Sequence, residues 1–231
     1  MRSTLLAVLA ALSVAAAGPA SAAKPPDQAP NGPGGADYVA DQVKKRALGR
    51  AGAPIYVFHA AGEAGAPRPV VVFLHAWGAN NPAIYAGWIE HLARKGNLVV
   101  FPRYQEVNRT RPAEATANAV QMTKEALEAL AADREARPDL KRVVVAGHLA
   151  GAVVAANLAG AAAANDLPVP RLYFGIMPGG IASDAKERGI LLGDLDKIGS
   201  RTLMVTMIGD RDHLPSDRAA KRILRQASGV P

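Results

Sequence analysis

The sequence has no cysteine, so disulfide frameworks, thiol nucleophiles and zinc–thiolate sites are excluded. Histidine is scarce, at five residues in 231, and the five show no metal-ligand spacing. No acidic cluster resembles a calcium or magnesium loop, so no metal is expected. Aromatic residues make up only 5% of the chain. The hydrophobic fraction is 49%, but 48 residues are alanine, which adds little apolar area when buried. No long polar low-complexity tract is present, which excludes wholesale disorder and favours a compact globular domain.

Acidic charge is in deficit: 20 Asp and Glu against 27 Lys and Arg give a net charge of +7 and a pI near 9.9. A polyanionic partner therefore has to be considered. The cations fall at Lys44-Lys45-Arg46, at Lys141-Arg142, and at Arg218, Lys221, Arg222 and Arg225. With no nucleic-acid-binding module around them, they read as solvated faces rather than a nucleic-acid site. A role at an anionic cell envelope stays open.

Residues 5–17 form an uncharged apolar stretch, too short to span a bilayer as a helix. Arg2 precedes it and the small-x-small triplet Ala20-Ser21-Ala22 follows it. The pattern predicts a secretory signal peptide over residues 1–22 and a secreted or periplasmic protein without an integral membrane segment. Residues 23–36, rich in proline and glycine, are expected to be a disordered linker. Residues 37–231 then form one domain.

Within that domain, short β-branched runs alternate with helical segments. Ile55-Tyr56-Val57-Phe58-His59 predicts a strand. Val70-Val71-Val72-Phe73-Leu74 predicts another, buried on both faces because it is continuously apolar. Ile84, Tyr85, Trp88, Ile89 and Leu92 recur at helical spacing across residues 82–95, and Gly96 stops the run. Leu98-Val99-Val100-Phe101 is the next strand, followed by an Ala/Glu/Lys helix over 112–137 with Pro112 suited to its first turn. Val143-Val144-Val145-Ala146 runs directly into a small-residue helix over 149–164. Leu172-Tyr173-Phe174 and Leu203-Met204-Val205-Thr206-Met207 complete the strands, and Ser216 or Asp217 can cap a last helix over 218–226. This alternation predicts an α/β fold, a mostly parallel doubly wound sheet with helices on both faces. Such sheets bind ligands beyond the carboxyl ends of their strands, so the residues after each strand carry the information.

Those residues are His75-Ala76-Trp77-Gly78, Gly147-His148-Leu149-Ala150-Gly151 and Gly209-Asp210-Arg211-Asp212-His213. In order and spacing they resemble the oxyanion loop, nucleophile elbow and acid turn of the α/β-hydrolase family, and more narrowly its secreted bacterial lipase/esterase-like members. The resemblance spans residues 55–226. It implies an elbow framed by Gly147 and Gly151, with the nucleophile position at Leu149. It also implies oxyanion donors at the backbone N–H groups of Trp77 and Ala150, and an acid at Asp212, with Asp210 the runner-up. Ala76 stands where the family has glycine, which matters if that position needs positive φ. Trp77 either lines an acyl pocket or packs as an ordinary aromatic.

Two departures bear on chemistry. Leucine has neither lone pair nor transferable proton and cannot form an acyl-enzyme. The family places its base downstream of the acid, whereas the 19 residues after Asp212 contain one histidine, His213, beside the acid itself. No base is expected in the usual place, and His213 reads as an exposed loop residue. His75 reads as structural, and His59 and His91 as packing or surface residues. The glycines at 147 and 151 fail the G-x-G-x-x-G pattern, so no dinucleotide and no other cofactor is expected. Two functions are compatible with this pattern. One is a carboxylic-ester hydrolase fold impaired at its nucleophile. The other is a non-catalytic relative that binds a small-molecule ester, an acyl or apolar ligand, or a partner.

Overall fold

The computed structural model describes residues 27–62, 66–106, 109–184, 188–210 and 216–230. Among the described residues, all helices and strands lie in the compact unit Asp37–Pro231. Residues 27–36 hold no helix or strand, and Ala36 N–H donates to Ala29 O at 2.9 Å.

Among the described residues, seven strands form one sheet: β1 (Val43–Arg50), β2 (Ala53–Ala60), β3 (Arg68–Leu74), β4 (Leu98–Pro102), β5 (Pro138–His148), β6 (Leu172–Ile176) and β7 (Leu203–Met207), in spatial order β1-β2-β4-β3-β5-β6-β7. The strands from β4 to β7 run parallel, while β2 pairs antiparallel with both β1 and β4. Among the described residues, four α-helices pack on the sheet: α1 (Ala86–Arg94), α2 (Ala115–Leu130), α3 (Ala150–Ala161) and α4 (Ser216–Gln226).

Alternation along each strand sorts the core into two layers. Val71, Phe73, Val99 and Phe101 face α1, where they meet Tyr85, Ile89 and Ala93. Val70, Val72, Leu74, Leu98, Val100 and Val145 face the opposite layer with α2 and α3, and Ile223 of α4 joins that layer. Every residue of α3 from Ala150 to Gly160 is buried. A helix apolar on all sides must sit inside the molecule, and its alanines and glycines let it lie close to the strands.

The structure departs from the sequence expectations at four places, the first being the helix expected over 82–95, which is a 3₁₀ turn (Pro82–Tyr85) followed by α1. Strand β1 has no counterpart among the expected strands, because Lys44, Lys45 and Arg46 mask a sheet edge whose inward residues are only partly buried. The helix expected over 112–137 is a 3₁₀ turn (Pro112–Glu114) followed by α2, which stops at Leu130. Beyond it, Asp133 Oδ1 accepts the backbone N–H groups of Glu135 and Ala136 and builds a turn instead. The strand at 143–146 extends back to Pro138, so Lys141 and Arg142 lie on β5.

Candidate active site

Strand β5 passes into α3 through a single residue. Leu149 adopts φ 51° and ψ −118°, a region that costs a residue with a Cβ about 1–3 kcal/mol. The surroundings hold it there. Its N–H donates to Ile176 O at 3.0 Å, and its carbonyl accepts from Ala152 N at 3.0 Å and Gly179 N at 3.3 Å. The flanking glycines explain why so tight a turn is possible. A Cβ on Gly147 would stand 2.2 Å from Gly151 O, and one on Gly151 would stand 2.1 Å from Leu74 O. Leu149 thus sits at the tip of a strand-to-helix turn on the carboxyl edge of the sheet, partly exposed.

The loop after β3 lies on the same edge, since Leu74 is in register with Gly147. Tyr104 Oη donates to His75 O at 2.6 Å, and Gly78 N–H donates to Gln105 Oε1 at 2.6 Å. Ala76 N–H is taken by Tyr85 Oη at 2.9 Å. Among the described residues, the N–H groups of Trp77 and Ala150 have no hydrogen-bond partner. Both remain free to meet an incoming oxygen. Ala76 does not have positive φ, whereas Gly78 does at 83°, so alanine at position 76 carries no backbone penalty. Trp77 is 39% exposed, and Trp88, whose ring lies 6.3 Å from that of His148, is 44% exposed.

Strand β7 ends in register with Ile176, which pairs with His148, so Asp210 follows it onto the carboxyl edge, exposed. Asp212 and His213 lie outside the described residues. The structure therefore brings Leu149, Ala150, Trp77 and Asp210 to one edge of one sheet.

Sequence reasoning assigns no role to Tyr85 or His148. Tyr85 Oη lies 3.2 Å from His148 Nδ1 and also accepts from Ala76, so one buried hydroxyl ties the loop after β3 to the residue before Leu149. With the Ala76 N–H already donating to that oxygen, the tyrosine proton is directed at Nδ1. Burial lowers the His148 pKa, which keeps the imidazole neutral near pH 7. The two residues are 63 positions apart, and no local pattern links them.

His75 behaves differently. It is fully buried, stacked on Tyr104 at 4.3 Å between centroids and on Phe101 at 5.4 Å. Burial drives its pKa down to about 4, against a hydrogen bond between Nδ1 and Ala76 O at 2.8 Å that works the other way. Its Nε2 is buried without a partner among the described residues. His75 therefore supports the loop after β3 from within the core. His59 is buried too, with Nδ1 on Ala60 O at 2.9 Å, and His91 lies 3.1 Å from Tyr38 Oη.

A cavity of about 550 Å³ opens next to this edge, between the β1–β2 turn and the start of α2, lined by Arg50, Arg103, Tyr104, Asn118 and neighbouring residues. It does not include Leu149.

A parallel sheet of this order, with a glycine-framed strand-to-helix turn and free backbone donors across from it, defines an α/β-hydrolase fold whose elbow carries leucine. The chlorophyllase family model matches residues 37–188, and the chain belongs to that family. Among solved structures, the fold is similar to an esterase from Rhizomucor miehei, at 14% identity and TM-score 0.62 over 82% of this chain and 72% of that one. It is similar as well to an α/β-hydrolase enzyme from a Medee basin deep-sea metagenome library, at 14% identity and TM-score 0.62 over 82% of this chain and 78% of that one. A carboxylesterase from Lactobacillus plantarum gives 15% identity and TM-score 0.57 over 80% and 78% of the two chains. At these identities the likeness establishes the fold alone. Comparison with curated proteins finds no match.

Proposed function

We propose that this protein uses an esterase-type site to bind a small molecule with an acyl or otherwise apolar group, without serine-type turnover of an ester. The observation that carries this reading is Leu149 at φ 51°, in the position where the fold would present a nucleophile. A hydrocarbon side chain there cannot attack a carbonyl, so the acyl-enzyme route is closed whatever base is at hand. Loss of the nucleophile alone costs a serine hydrolase on the order of 10⁶ in turnover. The remaining features suit binding. The free N–H groups of Trp77 and Ala150 can donate to a carbonyl or carboxylate oxygen, while Leu149, Trp77 and Trp88 offer apolar area to its chain. The ligand is therefore an ester or acyl compound rather than a nucleic acid.

Export belongs to the same proposal. Arg2, the apolar residues 5–17 and Ala20-Ser21-Ala22 support cleavage near residue 22 and action outside the cytoplasm. Among the described residues, no helix is long and apolar enough to cross a membrane.

The experiment is a titration with a fluorescent fatty acid, run beside a p-nitrophenyl acetate assay. Saturable binding that Leu149→Asp weakens at least tenfold, with ester hydrolysis no faster than on the order of 10³ over water, is the expected result. Hydrolysis showing a burst of one product per protein would overturn the proposal.

A further inference from the structure

The amino edge of the sheet, opposite the candidate active site, carries a second feature. A cavity of about 320 Å³ opens where β5, β6 and β7 begin, lined by Leu140, Lys141, Val169, Pro170, Arg171 and Arg201. Three of its six lining residues are cations and none is acidic. Among the described residues, neither Lys141, Arg171 nor Arg201 pairs with a carboxylate. The nearby acid, Asp139, is already engaged by Arg142 Nε at 2.6 Å and by Lys141 N–H at 2.9 Å.

The frame beneath these cations is cross-laced. Arg171 N–H donates to Val143 O at 2.7 Å, Leu203 N–H to Arg171 O at 2.9 Å, and Thr202 Oγ1, fully buried, to Pro170 O at 2.6 Å. The three strand starts are therefore locked side by side. Around the cations, large apolar side chains stand in water: Leu140 is 50% exposed, Val169 44% and Leu203 57%.

We propose that this edge docks the protein on an anionic lipid surface, with Lys141, Arg171 and Arg201 holding phosphate headgroups and Leu140, Val169 and Leu203 entering the acyl boundary. Unpaired cations alone would suit any polyanion. Exposed aliphatic side chains among them gain free energy only where they leave water, as they do at a bilayer interface. A single-stranded nucleic acid would call for aromatic stacking surfaces, and the cavity has none. In this orientation the carboxyl edge, with Leu149 and Trp77, faces away from the lipid. The inference does not depend on how that site is used.

The test is co-sedimentation of the chain from Ala23, which keeps the whole Asp37–Pro231 unit, with vesicles of phosphatidylglycerol and phosphatidylcholine. Binding is expected to the mixed anionic vesicles, to fall with salt, and to be absent from pure phosphatidylcholine. Each basic residue at such a surface is worth about fivefold, so Arg171→Gln with Arg201→Gln should weaken binding about thirtyfold. Leu140→Ser with Val169→Ser should weaken it severalfold at constant charge. Arg50→Gln with Arg109→Gln, two residues that line the 550 Å³ cavity at the other edge, removes equal charge and should change it less than threefold, with unaltered circular dichroism in all variants. Equal losses from the two arginine pairs would overturn the proposal by making net charge the cause. Tighter binding to single-stranded DNA than to the vesicles would overturn it in favour of a nucleic acid. So would full competition by millimolar inorganic phosphate, in favour of a free anion.

Discussion

The two ends of the same parallel strands are built on different principles. At the carboxyl edge the chain holds strained backbone, at Leu149 and at Met177 with φ 49°, and fixes its loop by buried hydrogen bonds accepted by the Tyr85 hydroxyl and donated by that of Tyr104. At the amino edge the strand ladder and one buried hydrogen bond, from Thr202 Oγ1 to Pro170 O, hold an unstrained backbone, and the exposed side chains are cationic or apolar. The contrast shows where the fold stores its precision. It also shows that precision and chemistry are separable. The elbow is imposed by contacts of Gly147 and Gly151 with neighbouring backbone, none of which involves the side chain at position 149. The side chain at position 149 is therefore not what holds the turn in shape.

The largest effect should come from attacking that imposed geometry. Gly151→Ala places a methyl against two carbonyls of β3 and its loop, with no flexible side chain to give way. We expect a loss of about 4 kcal/mol or more, read as a lowered urea midpoint or failure to fold. Gly147→Ala should follow closely. Tolerance of either would mean that the elbow is not held as described.

The next effect is acid sensitivity at the loop that faces Leu149. His75 has a folded pKa of about 4 and an ordinary value of 6.5 when unfolded. The unfolded state therefore binds the proton first. Stability from this residue is complete above pH 6.5, declines as the pH falls through 6.5 toward 4, and declines no further below that. The full span is worth about 3 kcal/mol. His59 and His148, also lowered by burial, act in the same sense. Unfolding midpoints measured between pH 8 and 4 should fall accordingly, and His75→Phe should flatten the slope. An unchanged slope in that variant would remove His75 as its cause.

Much of this was legible in the sequence, for identifiable reasons. The runs at 70–74, 98–101 and 143–146 are continuous in β-branched and aromatic residues and could only be buried strands. The glycines at 147 and 151 were legible by their spacing to Leu149. Strand β1 was not, because Lys44-Lys45-Arg46 gives an edge strand no apolar face. The Tyr85–His148–Ala76 link was not legible either, since it joins residues distant in the chain and appears only once α1 is packed on Phe73 and Phe101.

Smaller effects sharpen the comparison at single residues. Leu149→Gly relieves the φ 51° conformation while giving up a partly exposed side chain, and should raise stability by about 1 kcal/mol by thermal or urea unfolding. A loss of that size would instead make Leu149 a core residue. Gly87 lies in α1, where an added methyl group would meet nothing within 4 Å, and gives the control away from the elbow. Gly87→Ala should stabilise by roughly 0.5–1 kcal/mol, the ordinary helix preference.

The central claim, that the elbow survives without its chemistry, is tested most directly by incubating the folded protein with a fluorophosphonate probe and recording its intact mass. That probe reacts only with an activated nucleophile. The account predicts an unmodified mass at every residue after prolonged exposure, while a serine esterase treated in parallel gains one adduct. A stoichiometric adduct on this chain would contradict it.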